Sequence, residues 1–288
     1  MTTKGEDPKG NDDNHLSRRG FTALSVAAGL TATAGSALAA DVVETDVDVK
    51  TPDGVSDAAL FHPAGKGKWP VVLMWTDILG LRPAFRDMGR RLASSGYVVL
   101  VPNPFYRTRK SPVLPGGIDF NNPADRAKLG ELTGPLTPAA VTGDAGAYLA
   151  FLDAQPMADR KAKAGTVGYC MGGPLTMRTA ALAPGRIGAG MSCHGGNLVN
   201  DTPDSPHLLV PKIKAEFYFA VAANDDMRQP DAKDKLKAAF AATGVPATVV
   251  VYDGCNHGWC VKDGAVYNEA GAERAWAEML KLYKAKLV

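Results

Sequence analysis

Short apolar segments alternate with helix-length segments along the chain, and this alternation limits the number of folds it can adopt. Parallel strands need long crossover connections, and helices that pack on both faces of a sheet supply them. The pattern therefore predicts an α/β fold with a mostly parallel central sheet and helices on both faces. Strands are predicted at 46–50, 58–62, 70–75, 97–101, 216–223 and 247–252, and helices at 83–95, 141–153, 174–183, 231–243 and 270–286.

The first forty residues differ in composition from the rest. They are polar up to a pair of arginines, Arg18 and Arg19, which leads into a weakly apolar stretch over 22–40 rich in Ala, Gly, Ser and Thr. A basic pair, an h-region too short to anchor the protein and a small-residue site at 37–39 are typical of a twin-arginine export signal. A disordered tail with an Ala-rich helix is the alternative. We expect a single mature domain over 41–288, exported by the twin-arginine machinery to the periplasm or beyond, without a membrane anchor.

Charge and cysteine content argue against several classes of protein. The formal net charge is +2, with lysines and arginines scattered along the chain, so neither a nucleic-acid surface nor an anionic-membrane surface is indicated. The four cysteines are too few and too irregularly spaced for a disulfide framework, and they lack the spacing of metal ligands. Cys255 and Cys260 are either bridged or are two small buried side chains. We expect no metal and no organic cofactor.

One segment, 165–173 (Gly-Thr-Val-Gly-Tyr-Cys-Met-Gly-Gly), turns a predicted strand sharply into a predicted helix. Gly-x-Cys-x-Gly is the pattern of a nucleophile elbow, where glycines flank the nucleophile because a Cβ would collide as the chain doubles back. Such a turn exposes Cys170 at the start of the helix, with the backbone amide of Met171 directed at the reacting centre. The alternative is a packed core turn without chemistry.

A carboxylate and a histidine follow in the chain order that elbow enzymes use. The predicted strand over 216–223 leads to Asp225 and Asp226, and His257 follows the last predicted strand. His257 can take the proton of Cys170 while a carboxylate holds its other ring nitrogen. Asp225 is preferred because it follows its strand at the usual interval, and Asp226 remains the alternative.

Other residues near these positions have two readings each. His194 lies at the end of the strand after the elbow helix, where it lines the substrate pocket or bonds to a local backbone group. Trp259 is predicted to form the pocket wall, with a place in the core as the alternative. A Pro-, Gly- and Asn-rich segment over 102–138 is predicted to be a long loop that covers or lines the site.

Residues 41–288 resemble the dienelactone hydrolase family, whose members have the α/β-hydrolase fold. Residues 75–80 (Trp-Thr-Asp-Ile-Leu-Gly) are similar to the family's Gln-Glu-Ile-Phe-Gly segment, and 104–107 (Pro-Phe-Tyr-Arg) to its loop after the next strand. Residues 168–173 are similar to its cysteine elbow, and the pair 257–258 (His-Gly) to the start of its histidine loop.

The resemblance implies roles for seven residues. It implies that Cys170 is the nucleophile, that His257 is a base that later acts as an acid, and that Asp225 orients His257. It also implies that the backbone amides of Ile78 and Met171 bind the oxyanion. It also implies that Asp77 lies beside the nucleophile and that Arg107 faces an anionic substrate.

Two departures from the family pattern bear on the thiol and on the substrate: the shorter Asp77 side chain reaches less far toward the thiol, and the loss of an arginine widens the expected substrate range. Asp77 stands where the family usually has Glu, and Val261 occupies the place of a substrate-binding arginine, which removes half of a carboxylate clamp. We therefore predict hydrolysis of a small-molecule ester or lactone through a Cys-His-Asp triad and an acyl-enzyme, not restricted to chlorocatechol-type dienelactones. The alternatives are a broader carboxylesterase or thioesterase, and a non-catalytic ligand-binding or redox-sensing protein that uses Cys170.

Overall fold

A computed structural model describes residues 41–287. The predicted export signal over 1–40 lies outside the described residues, and its role stays a prediction. Within 41–287, no helix combines the length and the apolar character that crossing a membrane requires.

The described residues form an eight-stranded sheet in the order β1-β2-β4-β3-β5-β6-β7-β8. β1 and β2 form an antiparallel hairpin, β2 pairs antiparallel with β4, and all later pairings are parallel. The strands are β1 Val42–Thr51, β2 Gly54–Pro63, β3 Val71–Trp75, β4 Val98–Pro102, β5 Ala164–Tyr169, β6 Ile187–Cys193, β7 Glu216–Ala222 and β8 Ala247–Tyr252.

Helices cover both faces of this sheet. They are α1 Pro83–Ser94, α2 Pro123–Thr133, α3 Pro138–Ala154, α4 Gly172–Leu182, α5 Ala223–Arg228, α6 Ala232–Thr243 and α7 Glu269–Lys286, with a 3₁₀ helix at Pro206–Lys212. One apolar layer includes α1 and α7, where Phe85 and Trp276 are buried, and the other includes α3, α4 and α6, where Tyr148 and Phe240 are buried. The predicted α/β fold with helices on both faces is confirmed.

The long segment predicted as a loop over 102–138 contains a helix, α2. Asn122 caps this helix, because its side-chain oxygen accepts a hydrogen bond from Ala124 N, and Pro123 occupies the first turn. The segment over 102–138 is rich in Pro, Gly and Asn, a composition typical of loops, and the sequence therefore did not predict this helix. Its buried side chains are Leu129 and Leu132.

Strand register places the predicted site residues along one edge of the sheet. Trp75 pairs with Gly168, Tyr169 with Cys193, Cys193 with Ala220, and Ala222 with Tyr252. The segments that follow these paired strand ends therefore meet at the carboxyl edge, where open α/β sheets keep their sites.

Candidate active site

The predicted elbow is present between β5 and α4. Cys170 has a φ of 53°, a left-handed conformation that costs an L-residue roughly 1–2 kcal/mol, and its side chain is partly exposed. Glycine is required before it, because a Cβ on Gly168 would lie 2.0 Å from the carbonyl oxygen of Gly172. The sharp turn thus holds a sulfur atom at the helix start in a backbone conformation that the surrounding packing must stabilise.

The base and the acid come from the two loops that follow β8 and β7. His257 Nδ1 and Asp225 Oδ2 are 2.5 Å apart, and the backbone N–H of His257 donates to Asn224 Oδ1 at 2.8 Å. Burial alone would lower the pKa of His257, but hydrogen bonds with Asp225 and Cys170, and the charges of those groups, raise it to about 10. Histidine and aspartate are therefore paired directly, and Cys170 lies near enough to His257 to raise its pKa.

Asp226 points away from this histidine. Its Oδ1 atom receives a hydrogen bond from Lys233 Nζ at 2.7 Å. Both aspartates lie in the short helix α5, and successive residues of a helix project in directions about 100° apart. Helical geometry therefore separates two carboxylates that are adjacent in the sequence.

The chain that follows β3 passes beside the elbow, because a Cβ on Gly172 would lie 2.6 Å from the carbonyl oxygen of Thr76. Ile78 follows β3 in a turn where Leu79 N–H donates to Asp77 Oδ1 at 2.9 Å and Gly80 N–H donates to the Asp77 carbonyl at 3.1 Å. These two bonds close the turn around Ile78 without using its own N–H. Met171 stands at the N-cap of α4, where helix amides favour negative charge.

The Asp77 carboxylate is bound to an arginine that the sequence analysis did not single out. Arg82 donates to both Asp77 oxygens, at 2.7 and 2.8 Å, and its Nε donates to Asp263 Oδ2 at 2.7 Å. The Asp77 and Arg82 side chains are only 12% and 13% exposed. Arg82 is the N-cap residue of α1, and its position next to the predicted start of that helix does not by itself indicate a partner for Asp77.

Arg107 is also paired within the protein. Its guanidinium donates to both carboxylate oxygens of Asp144, at 2.7 and 2.9 Å, and to Asp53. The Asp144 side chain is 1% exposed, and Tyr106 Oη donates to it at 2.8 Å. Arg107 thus ties the loop after β4 to α3 and to the β1–β2 turn, and this pairing leaves it poorly placed to bind a substrate carboxylate.

His194 and Trp259 are both buried. Trp259 is fully buried and stacks on Tyr252 at 5.1 Å between ring centroids, which corrects the prediction that it lines the substrate pocket. His194 is 1% exposed, and its Nδ1 accepts a hydrogen bond from Cys170 N at 3.1 Å. Of the two readings for His194, the backbone contact is the one observed.

The cysteines other than the elbow residue are buried free thiols. Cys255 and Cys260 are not bridged, so of the two alternatives the structure has small buried side chains. Burial, together with the neighbouring Cys193 thiol, raises the pKa of Cys260 well above its usual range. Within 41–287, no group of three potential ligand side chains is arranged to hold a metal ion.

A cleft of about 310 Å³ opens beside His257, at the lower end of the size range of small-molecule sites. Its lining includes Gly196, Asn197 and Asp225. Arg228, which the sequence analysis missed, also lines it, with a side chain that is 74% exposed and an Nη1 atom 3.6 Å from Asp225 Oδ1.

The fold and this arrangement at the strand ends define the chain as an α/β hydrolase. It is 28% identical over 276 residues to a putative carboxymethylenebutenolidase of Methylorubrum extorquens, an alignment that covers 92% of this chain and 91% of that protein. A profile of the dienelactone hydrolase family matches residues 56–287. The chain belongs to the dienelactone hydrolase family, a family of hydrolases, as its resemblance predicted.

Solved structures agree with this fold. A putative dienelactone hydrolase from Klebsiella pneumoniae superposes with a TM-score of 0.74 at 22% identity, covering 85% of this chain and 99% of that one. A dienelactone hydrolase-like promiscuous phosphotriesterase from metagenomic libraries superposes with a TM-score of 0.68 at 20% identity, covering 86% and 99%.

Proposed function

We propose that the protein hydrolyses a small-molecule ester or lactone by two-step acyl transfer through Cys170, His257 and Asp225. The observation that carries this proposal is the 2.5 Å contact between His257 Nδ1 and Asp225 Oδ2, on a ring whose pKa the neighbouring Cys170 also raises. An imidazolium beside sulfur is the arrangement that activates cysteine nucleophiles.

In the first step, the sulfur of Cys170 attacks the carbonyl carbon and a carbon–sulfur bond forms. The carbonyl oxygen becomes an oxyanion that accepts hydrogen bonds from the amides of Ile78 and Met171. As the oxyanion collapses, the bond to the leaving oxygen breaks, and His257 donates its proton to that oxygen. The product of this step is a thioester on Cys170.

In the second step, water replaces the alcohol. His257, now neutral, takes a proton from water, and the hydroxide attacks the thioester carbonyl. The carbon–sulfur bond breaks, the carboxylic acid leaves, and the sulfur and the imidazolium are regenerated. Asp225 keeps the ring of His257 oriented and supports its positive charge in both steps.

The pairing of two arginines with protein carboxylates favours substrates that carry no carboxylate. Arg107 and Arg82 each bind two carboxylates of the protein, and Val261 stands where the family has a substrate-binding arginine. A substrate carboxylate at either position would compete with bonds already made. We therefore place uncharged enol esters and lactones first among the substrates. An enol oxygen is a good leaving group, so it can depart from the tetrahedral intermediate in competition with the Cys170 thiolate.

The test is a steady-state assay of residues 41–288 on three substrates: an enol lactone with a carboxylate, its uncharged analogue, and a nitrophenyl ester. We expect turnover by the wild type, a preference for the uncharged lactone, and loss of turnover in Cys170→Ala. No turnover by the wild type, with stoichiometric alkylation of Cys170, would instead support the binding or redox-sensing alternative.

We also propose export of the precursor by the twin-arginine machinery, from the basic pair and the small-residue site within 1–40. Cell fractionation of the full chain and of an Arg18→Lys, Arg19→Lys double variant tests this. The wild type should be found outside the cytoplasm in a shortened form, and the double variant inside at full length. Equal distribution of the two would overturn the proposal.

A further inference from the structure

The ring of His194 lies between the nucleophile and the base, although neither the exposed surface nor the cleft reaches it. His194 directly follows β6, has a φ of 40°, and its backbone N–H donates to the Ala220 carbonyl of β7 at 2.7 Å. The backbone of His194 is therefore fixed to a neighbouring strand at the carboxyl edge of the sheet. This hydrogen bond does not depend on a bound substrate.

The first contact of this ring is with the backbone of the nucleophile. Cys170 N–H donates to His194 Nδ1 at 3.1 Å and also lies 3.1 Å from the Cys193 carbonyl oxygen. Cys170 is in the left-handed region, which it leaves readily unless its backbone is held. An acceptor on its amide stabilises the conformation that presents the sulfur.

The second contact is with the base. The rings of His194 and His257 meet edge to face, with centroids 5.2 Å apart and an interplanar angle of 61°. Trp259 also packs against the His194 ring, with ring centroids 5.0 Å apart. Because these side chains are packed at interior density, a change in the volume of His194 changes the room in which His257 turns.

This arrangement requires one particular protonation state. A ring that accepts through Nδ1 must carry its single proton on Nε2, and a second proton would abolish the acceptor. The titratable groups that face the ring are His257, Cys170 and Tyr169. Burial, together with the charge of His257, lowers the pKa of His194 to about 3, so the acceptor persists at neutral pH.

We propose that His194 is a positioning residue that couples the elbow to the base, by accepting the Cys170 amide hydrogen through Nδ1 and by packing against the His257 ring. The expected effect of His194 on kcat rests on the proposed hydrolase function. The NMR and alkylation tests described below do not.

Two variants separate the acceptor from the bulk of the side chain. His194→Asn keeps an oxygen acceptor and tolerates a left-handed backbone, whereas His194→Leu keeps bulk and removes the acceptor. We expect the Leu variant to lose about tenfold in kcat with KM unchanged, as one hydrogen bond of about 1.4 kcal/mol implies, and the Asn variant, which keeps the acceptor but is smaller, to lose only about threefold. His207→Asn, at a half-exposed histidine bonded to Ser205, is the matched control and should change neither constant.

Two further measurements do not depend on hydrolysis. Nitrogen NMR of the wild type between pH 5 and 9 should report a His194 ring protonated at Nε2 and bare at Nδ1 throughout. The rate of Cys170 alkylation against pH should have its midpoint at a higher pH in His194→Leu than in wild type, because a less ordered His257 supports the thiolate less well.

These outcomes separate the inference from the proposed function. A proton on Nδ1, or a folded Leu variant with wild-type kcat and alkylation profile, overturns the role of His194 while the hydrolase stands. An inactive wild type with the expected NMR and alkylation results overturns the hydrolase and keeps the coupling. If the Leu variant does not fold, the NMR result alone decides the inference.

Discussion

Replacing Asp225 by Asn removes the negative charge that faces the ring of His257 across 2.5 Å, with almost no change in volume. A hydrogen bond to a charged group contributes about 1.5–3 kcal/mol, which corresponds to roughly a 10- to 150-fold loss in rate if the bond acts in the transition state. The pKa of His257, about 10 in the wild type because Asp225 and Cys170 outweigh the effect of burial, should also fall. The variant should therefore have a lower kcat. Its activity should also begin to fall at a lower pH on the alkaline side of the pH profile, because His257 loses its proton sooner.

The matched control is Asp226→Asn, one residue along the same helix. Its carboxylate pairs with Lys233 at 2.7 Å near the surface, a kind of pair that contributes about 0–1 kcal/mol. Its kcat/KM should stay within about twofold of wild type. The assay is kcat/KM on a nitrophenyl ester from pH 5 to 10, with thermal melts to show that both variants are folded. Equal losses in the two variants, or a larger loss in Asp226→Asn, would refute the assignment of the acid.

Three other outcomes follow from packing, burial and titration. Gly168→Ala puts a methyl group 2.0 Å from backbone oxygen and should cost about 3 kcal/mol of unfolding free energy in urea melts, whereas Gly185→Ala, with open space around its Cβ, should cost under about 1. The pKa of His194 is lowered from 6.5 to about 3 by burial and by His257, so the stability it contributes is complete above pH 6.5 and is lost as pH falls toward 3. At pH 4.5 the wild type should have lost about 3 kcal/mol more than His194→Asn, and parallel pH curves would contradict this. A thiol reagent should label Cys170 alone in the native protein and the three buried cysteines only after unfolding, and a second fast thiol would contradict their burial.

Local patterns were enough to predict the fold and most of the strands. Apolar runs and glycine positions report the backbone path directly, which is why the sequence predicts the turn at Cys170. The helix α2 was missed because its composition resembles that of a loop and its cap is a single asparagine.

The partners of the charged residues could not be predicted in the same way. Arg82 meets Asp263 across 181 residues of sequence and Arg107 meets Asp144 across 37, and neither spacing leaves a periodic trace. Choosing between the two aspartates after β7 required the direction of each side chain, which α5 determines and the sequence order does not.

The double pairing of Arg82 and Arg107 has a consequence for how substrate arrives. Each guanidinium is bonded to two carboxylates, so each group carries a net negative charge rather than a positive one. Long-range attraction that speeds the encounter of charged molecules needs an uncompensated field, and it fades as salt is added. Neither arginine supplies such a field for an anionic ester. These two arginines should therefore add no salt-sensitive acceleration to the association of such an ester.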